Sequence, residues 1–221
     1  MTDQVARARA VADNRFAGIA LTGKRVVFLV DMSGSMELVD ENTPAPDKWV
    51  GVRETLAKIM RSLPDLEKFQ VILFSTRASY LLGQGGQWLD YDPVTSPGKV
   101  VEALRLIKPR GNTDMYAAFE AAFRFRAAGL DTIYLFSDGL PNVGAGLSPE
   151  AARSLKETER AEILSKHVLR TLKADWNRPV TSRPKVRINA VGFFYESPDV
   201  GAFLWALARE NDGSFVGMSR P

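Results

Sequence analysis

The 221-residue sequence contains no cysteine and a single histidine, His167. Disulfides, thiol nucleophiles, zinc-cysteine sites and iron-sulfur clusters are therefore excluded, and a histidine-rich metal site cannot be assembled within one chain. No stretch approaches the roughly 20 consecutive apolar residues that a membrane-spanning helix requires. The first residues lack the apolar core and small-residue cleavage site of a secretory signal. The expectation is a soluble chain in a reducing, cytoplasmic setting, with the soluble part of a longer anchored or exported protein as the alternative, and without direct membrane insertion. A charge excess is missing too: 29 basic and 26 acidic residues are spread along the chain and leave a net +3. So small a balance does not argue for nucleic acid, and none is expected as a partner. Nothing in the sequence reads the oligomeric state.

What is present is the make-up of a folded domain, 45% hydrophobic and 25% charged. Val26-Val27-Phe28-Leu29-Val30 is an apolar run that stops abruptly at Asp31, the pattern of a strand buried on both faces of a parallel sheet. Residues 69–74, 132–136 and 187–193 read as further strands, 79–82 as a short edge strand and 214–218 as a closing strand. Trp49, Val52, Leu56, Ile59, Met60 and Leu63 recur three or four apart, which predicts a helix over 47–63 ended by Pro64. Helices are also predicted over 98–107, from Met115 after Thr113-Asp114, over 149–175 as one long charged helix, and from Ser197-Pro198-Asp199 onward. Strands and helices alternate from Arg25 to the end with no Pro/Ser-rich linker and no internal repeat. The reading is one doubly wound, Rossmann-like α/β domain of three layers, a mainly parallel sheet between two helical layers, over residues 23–221. Residues 1–22 read as an N-terminal extension with a short helix in the first 20.

Two of the buried strands end in aspartate, Asp31 and Asp138. In an open parallel sheet, the residues just past the carboxyl ends of the strands line the ligand crevice, so both carboxylates are expected on one edge. Ser33 and Ser35 follow Asp31 at i+2 and i+4, with Gly34 between them to tighten the turn. Thr113, in a loop that opens a helix, can add a third hydroxyl. Carboxylate and hydroxyl oxygens without nitrogen or sulfur suit a hard cation, Mg²⁺ first, with Mn²⁺ or Ca²⁺ as substitutes.

Asp31-Met32-Ser33-Gly34-Ser35, Thr113 within Gly111-Asn112-Thr113-Asp114, and Asp138 within Ser137-Asp138-Gly139 together resemble the von Willebrand factor type A (VWA) family. The resemblance runs from about Arg25 to Met218. It implies a metal-ion-dependent adhesion site in which Ser33, Ser35 and Thr113 touch the metal and Asp31 and Asp138 hold it through coordinated waters. Neutral direct ligands would leave the cation attractive to an incoming anion. The implied function is a divalent-metal-dependent protein-binding module, for adhesion or scaffolding, that captures an acidic side chain of a partner protein. No enzymatic activity is expected, since no general base is evident for metal-bound water. A metal-dependent phosphohydrolase and a structural VWA domain whose site engages no partner are the alternatives.

Other features have plainer readings. Gly18 to Lys24 spells GxxxxGK, but Arg25 replaces the required Ser or Thr and the segment precedes the first strong strand, so a phosphate loop is not expected. No GxSxG elbow accompanies Ser33 or Ser35. Glu37, Asp40, Glu41 and Asp47 read as a solvated acidic loop, Trp88, Tyr91, Pro141 and Tyr195 as packing rather than a binding rim, and His167 as a solvated side chain.

Overall fold

The computed structural model describes residues 15–38, 43–83, 85–180, 184–193 and 197–218. The helix expected near the N-terminus lies largely outside them, and where residues 15–20 are described they form a hairpin instead. Strands β1 (Arg15–Phe16) and β2 (Ile19–Ala20) pair antiparallel. Ala17 and Gly18 both take positive φ, +46° and +92°, as a two-residue hairpin turn requires. This hairpin uses up the first glycine of the GxxxxGK pattern. Phe16, Ile19 and Leu21 are buried in the core.

The body of the chain is a seven-stranded sheet. Its elements are β3 (Arg25–Asp31), α1 (Pro46–Ser62), β4 (Lys68–Phe74), β5 (Ala78–Tyr80), β6 (Leu89–Asp90), α2 (Ser96–Arg105), α3 (Met115–Phe123), β7 (Thr132–Ser137), α4 (Pro149–Ser154), α5 (Glu157–Thr171), β8 (Arg187–Phe193), α6 (Pro198–Glu210) and β9 (Phe215–Met218). The strands run in the order β5-β4-β3-β7-β8-β9, with β6 pairing β4. Contacts among β4, β3, β7, β8 and β9 are parallel, and β5 and β6 pair antiparallel with β4. The chain leaves β3 for β4 on one side and later returns to lay β7 on the other. That reversal puts the switch point of the sheet at the carboxyl end of β3, where a crevice is expected.

Apolar residues fill both faces because successive side chains of a strand point to opposite sides. Val26, Phe28 and Val30 pack with Val52, Leu56, Val100 and Leu104 of α1 and α2. Val27 and Leu29 pack with Met115 and Phe119 of α3, Val168 of α5 and Leu204 of α6. Each large aliphatic side chain so buried contributes roughly 1.5–3 kcal/mol of transfer free energy, so both helical layers are anchored through β3.

The long helix predicted over 149–175 is broken. Helix α4 ends at Ser154, whose hydroxyl donates to the Glu150 carbonyl. Leu155 is extended, and α5 restarts with the Glu159 carboxylate accepting from the Lys156 N–H. Ser148 caps α4 by accepting from the Ala151 N–H. Two separate capping arrangements thus override a continuous helical composition, since a capped restart satisfies orphan N–H groups that would otherwise need another partner. Residues Leu172–Trp176 continue α5 as a π-type turn.

The aromatic residues near the Gly-rich turn are packing. Trp88 lies against Phe125 with ring centroids 4.6 Å apart and donates its indole N–H to the Ala128 carbonyl. Tyr91 donates to the Met60 carbonyl and meets Phe69 edge-on. Pro141 is buried, and Tyr195 lies outside the described residues, as do Asp40 and Glu41. Glu37 is half-buried and Asp47 exposed. His167 departs from the expected solvated side chain: it is half-buried and stacks on Tyr116 at 5.3 Å.

Candidate functional site

Asp31 is the last residue of β3, and Asp138 directly follows β7, the parallel neighbour of β3. Parallel pairing therefore brings both carboxylates to one edge of the sheet. Asp31 is fully buried and Asp138 nearly so. The Ser33 N–H donates to Asp31 Oδ1 at 2.8 Å, and the Ser137 hydroxyl donates to Asp31 Oδ2 at 2.7 Å. The Ser33 and Ser35 hydroxyl oxygens lie 3.1 Å apart, and Ser35 Oγ donates to Asp138 Oδ1 at 2.8 Å. Asp31, Ser33, Ser35 and Asp138 thus form one continuous hydrogen-bonded group, of which Ser35 is solvent-exposed.

Thr113 is buried beside the group but is not hydrogen-bonded to it among the described residues; the loop that carries it is tied to the serine loop instead. The Gly34 N–H donates to the Gly111 carbonyl at 3.0 Å and the Arg110 N–H to the Met32 carbonyl at 2.7 Å, so the two loops are laced together. Gly111 has φ +88°, and a Cβ there would stand 3.0 Å from Thr76 Oγ1. The backbone conformation favours glycine, and a Cβ would also crowd the threonine hydroxyl. The Thr113 N–H donates to Asn142 Oδ1 at 2.8 Å, while the Asn142 N–H donates to the Thr113 carbonyl at 3.0 Å. Asp114, next in the chain, caps α3 by accepting from the Ala117 N–H.

Two buried carboxylates side by side carry an electrostatic cost. Burial, and then the neighbouring Asp138 charge, push the Asp31 carboxyl up to about 7 against the hydrogen bonds from Ser137 and Ser33. Positive charge at this edge relieves that cost. One source is already built in: Lys48, in the first turn of α1, is buried and pairs with Asp138 Oδ2.

The donors are all oxygen and include hydroxyls, a set that suits Mg²⁺, Mn²⁺ or Ca²⁺. Among the described residues, no three His, Cys, Asp or Glu side chains gather at one place. A cation here would depend on the hydroxyls as well as the two carboxylates.

The VWA-type family model, described as von Willebrand factor type A domain, matches residues 26–140, more than half of the chain. The protein belongs to the von Willebrand factor type A family. Members are generally non-enzymatic adhesion or scaffold modules and often mediate protein–protein interactions. No curated protein is similar to this VWA chain in sequence. Similar solved structures include a von Willebrand factor type A protein from Catenulispora acidiphila, at 18% identity and TM-score 0.61, over 90% of this chain and 39% of that one. Another is BatB from Bacteroides thetaiotaomicron, at 13% identity and TM-score 0.54, over 90% and 92%. A third is proximal thread matrix protein 1 from the mussel byssus with a zinc-occupied MIDAS motif, at 19% identity and TM-score 0.55, over 90% and 42%. These likenesses establish the VWA fold. The chain spans well under half the length of the first and third.

Sequence reasoning missed three residues of this edge. Ser137 stands inside the quoted Ser-Asp-Gly triplet but carried no assigned role. Asn142, after Pro141, has ordinary turn chemistry and no local sign that it holds Thr113. Lys48 sits at the start of an amphipathic helix, where a lysine reads as solvated. No helix among the described residues is long and apolar enough to cross a membrane.

Proposed function

We propose that this VWA domain is a divalent-metal-dependent protein-binding module, in which Ser33, Ser35 and Thr113 contact the ion and Asp31 and Asp138 hold it through coordinated waters. Mg²⁺ is the favoured ion, with Mn²⁺ or Ca²⁺ as substitutes. The observation that carries the reading is the unbroken hydrogen-bonded group Asp31, Ser33, Ser35 and Asp138 at the switch point of the sheet, in which Ser35 is the solvent-exposed residue. The motif of the mussel protein, filled by zinc, supports metal binding by this kind of site.

The bound ion would supply an electrophilic position for an anion. The chain's own residues do the rest. Ser137 and the Ser33 amide fix the Asp31 carboxylate, Lys48 and Ser35 divide the two oxygens of Asp138, and Asn142 fixes the Thr113 backbone. An Asp or Glu of a partner protein is the ligand that such a position accepts. Turnover is not part of this proposal, because among the described residues the two carboxylates of the edge are already committed to hydrogen-bond donors.

Calorimetric titration of the metal-free protein with Mg²⁺ and with Mn²⁺ tests it. The wild type should bind one ion and Asp31→Ala none, and the ion should raise the melting temperature of the wild type alone, because it binds only the folded state. Equal binding by both proteins would move the metal elsewhere. Association with a partner recovered from the native source should disappear in chelator.

A further inference from the structure

Lys48 is an unusual charge. Its side chain is 3% exposed, and lysine is almost never so buried unless paired. Its ammonium has three protons and three acceptors: the Ser35 carbonyl at 3.0 Å, the Leu38 carbonyl at 2.9 Å, and Asp138 Oδ2. Every donor is satisfied, so the group is fixed rather than free to swing toward solvent. Asp138 is divided between two partners: Oδ1 accepts the Ser35 hydroxyl and Oδ2 accepts Lys48. The lysine also clasps both ends of the short 3-10 turn Gly34–Glu37 that carries the second serine.

We infer that Lys48 is a resident counter-ion of the metal site, keeping the Ser33–Ser35 loop and Asp138 assembled without a divalent ion and lowering the affinity for that ion when it arrives. The inference rests on the proposed metal reading and adds a residue outside the five motif positions. The physical reason is charge. Asp31 and Asp138 would offer a divalent ion two negative charges, and the fixed ammonium cancels one of them. Like charges in a partly desolvated site repel appreciably even at an effective dielectric near 20. The same ammonium leaves a loaded site more positive, which favours an acidic partner over retention of the ion. Lys48 is thus a positioning residue that sets the balance between holding the metal and holding the partner.

The test compares wild type and Lys48→Met by Mn²⁺ calorimetry and by thermal melting in chelator. Methionine keeps most of the buried stem and removes the charge. The variant should melt lower in chelator, bind Mn²⁺ on the order of tenfold more tightly, and recover most of its lost melting temperature on saturation with Mn²⁺. A merely structural lysine would give the opposite sign, since damage to the loop weakens metal binding. Unchanged or weaker Mn²⁺ binding by a folded Lys48→Met therefore overturns the inference. Should Lys48→Met not fold, the pair Asp138→Asn and Asp138→Asn/Lys48→Met decides. Removing both charges should give a higher melting temperature in chelator than removing the aspartate charge alone, and a double variant no better than the single overturns the inference. Wild type that binds Mn²⁺ no differently from Lys48→Met leaves the metal reading standing while this inference falls. Wild type that binds no Mn²⁺ while Lys48→Met does supports the counter-ion role and overturns the metal reading of the native site.

Discussion

Ser137 and Asp31 stand at the ends of neighbouring parallel strands, 106 residues apart in the chain, and the serine hydroxyl donates to the buried carboxylate at 2.7 Å. This bond fixes the plane of Asp31 from the β7 side while the Ser33 amide fixes it from its own loop. The carboxylate is oriented by both strands of the switch point at once.

Ser137→Ala should therefore cost about 1–3 kcal/mol of stability, the range for leaving a buried acceptor without its donor, measured by urea denaturation in chelator. On the proposed metal reading it should also weaken Mn²⁺ binding, because Asp31 loses the orienting donor on the β7 side. Unaltered denaturation midpoints would mean that water replaces the hydroxyl without loss.

Asn142→Ala removes the acceptor of the Thr113 N–H and leaves the core layers untouched. The expected outcome is an intact fold by circular dichroism and a loss of Mn²⁺ affinity approaching that of Thr113→Ala. The two changes together should be non-additive, since both act on one loop. Full additivity in calorimetry would place Asn142 outside the metal's environment.

Gly111→Ala places a Cβ at φ +88° and against Thr76 Oγ1. Left-handed backbone costs a non-glycine residue about 1–3 kcal/mol, so the denaturation midpoint should fall accordingly. A midpoint equal to that of the wild type would show that the loop joining Thr113 to the serines relaxes freely.

Tyr134 gives a pH dependence with a definite sign. Its hydroxyl accepts from the Thr22 N–H and donates to the Thr22 carbonyl, and burial pushes its pKa up to about 12. In the unfolded chain it ionises near 10. Between those values the unfolded state binds fewer protons than the folded one, so stability falls as pH rises from about 10 to 12, by about 3 kcal/mol from this group. Below 10 the group adds no pH dependence. Tyr134→Phe should lose about 1 kcal/mol at neutral pH and be less sensitive than the wild type over the alkaline window. Parallel alkaline unfolding curves for the two proteins would refute the assignment.

The alternation of apolar runs and amphipathic helices was legible in the sequence because it is written in periods of two and 3.6 residues. The run Val26 to Val30, the stripe Trp49 to Leu63 and the cap at Ser197 all fold as their local patterns require. The abrupt stops at Asp31 and Asp138 located the edge where Asp31, Ser33, Ser35 and Asp138 meet. Less local features were not legible. The hairpin at residues 15–20 depends on positive φ at Ala17, a conformation that alanine does not advertise. The break at Leu155 depends on two caps competing with a composition that is helical throughout.

Local period and the positions where strands stop were enough to specify the layers, the parallel sheet and the placement of the motif carboxylates. Which side chains stand behind those carboxylates followed from packing alone. Lys48 meets Asp138 across 90 residues, Ser137 meets Asp31 across 106, and Asn142 meets the Thr113 amide across 29. Such pairings have no local signature, because they arise when β7 is laid beside β3 and the first turn of α1 is brought under the same edge. Burial then makes each of them consequential, since a polar group removed from water must find its partner within the fold.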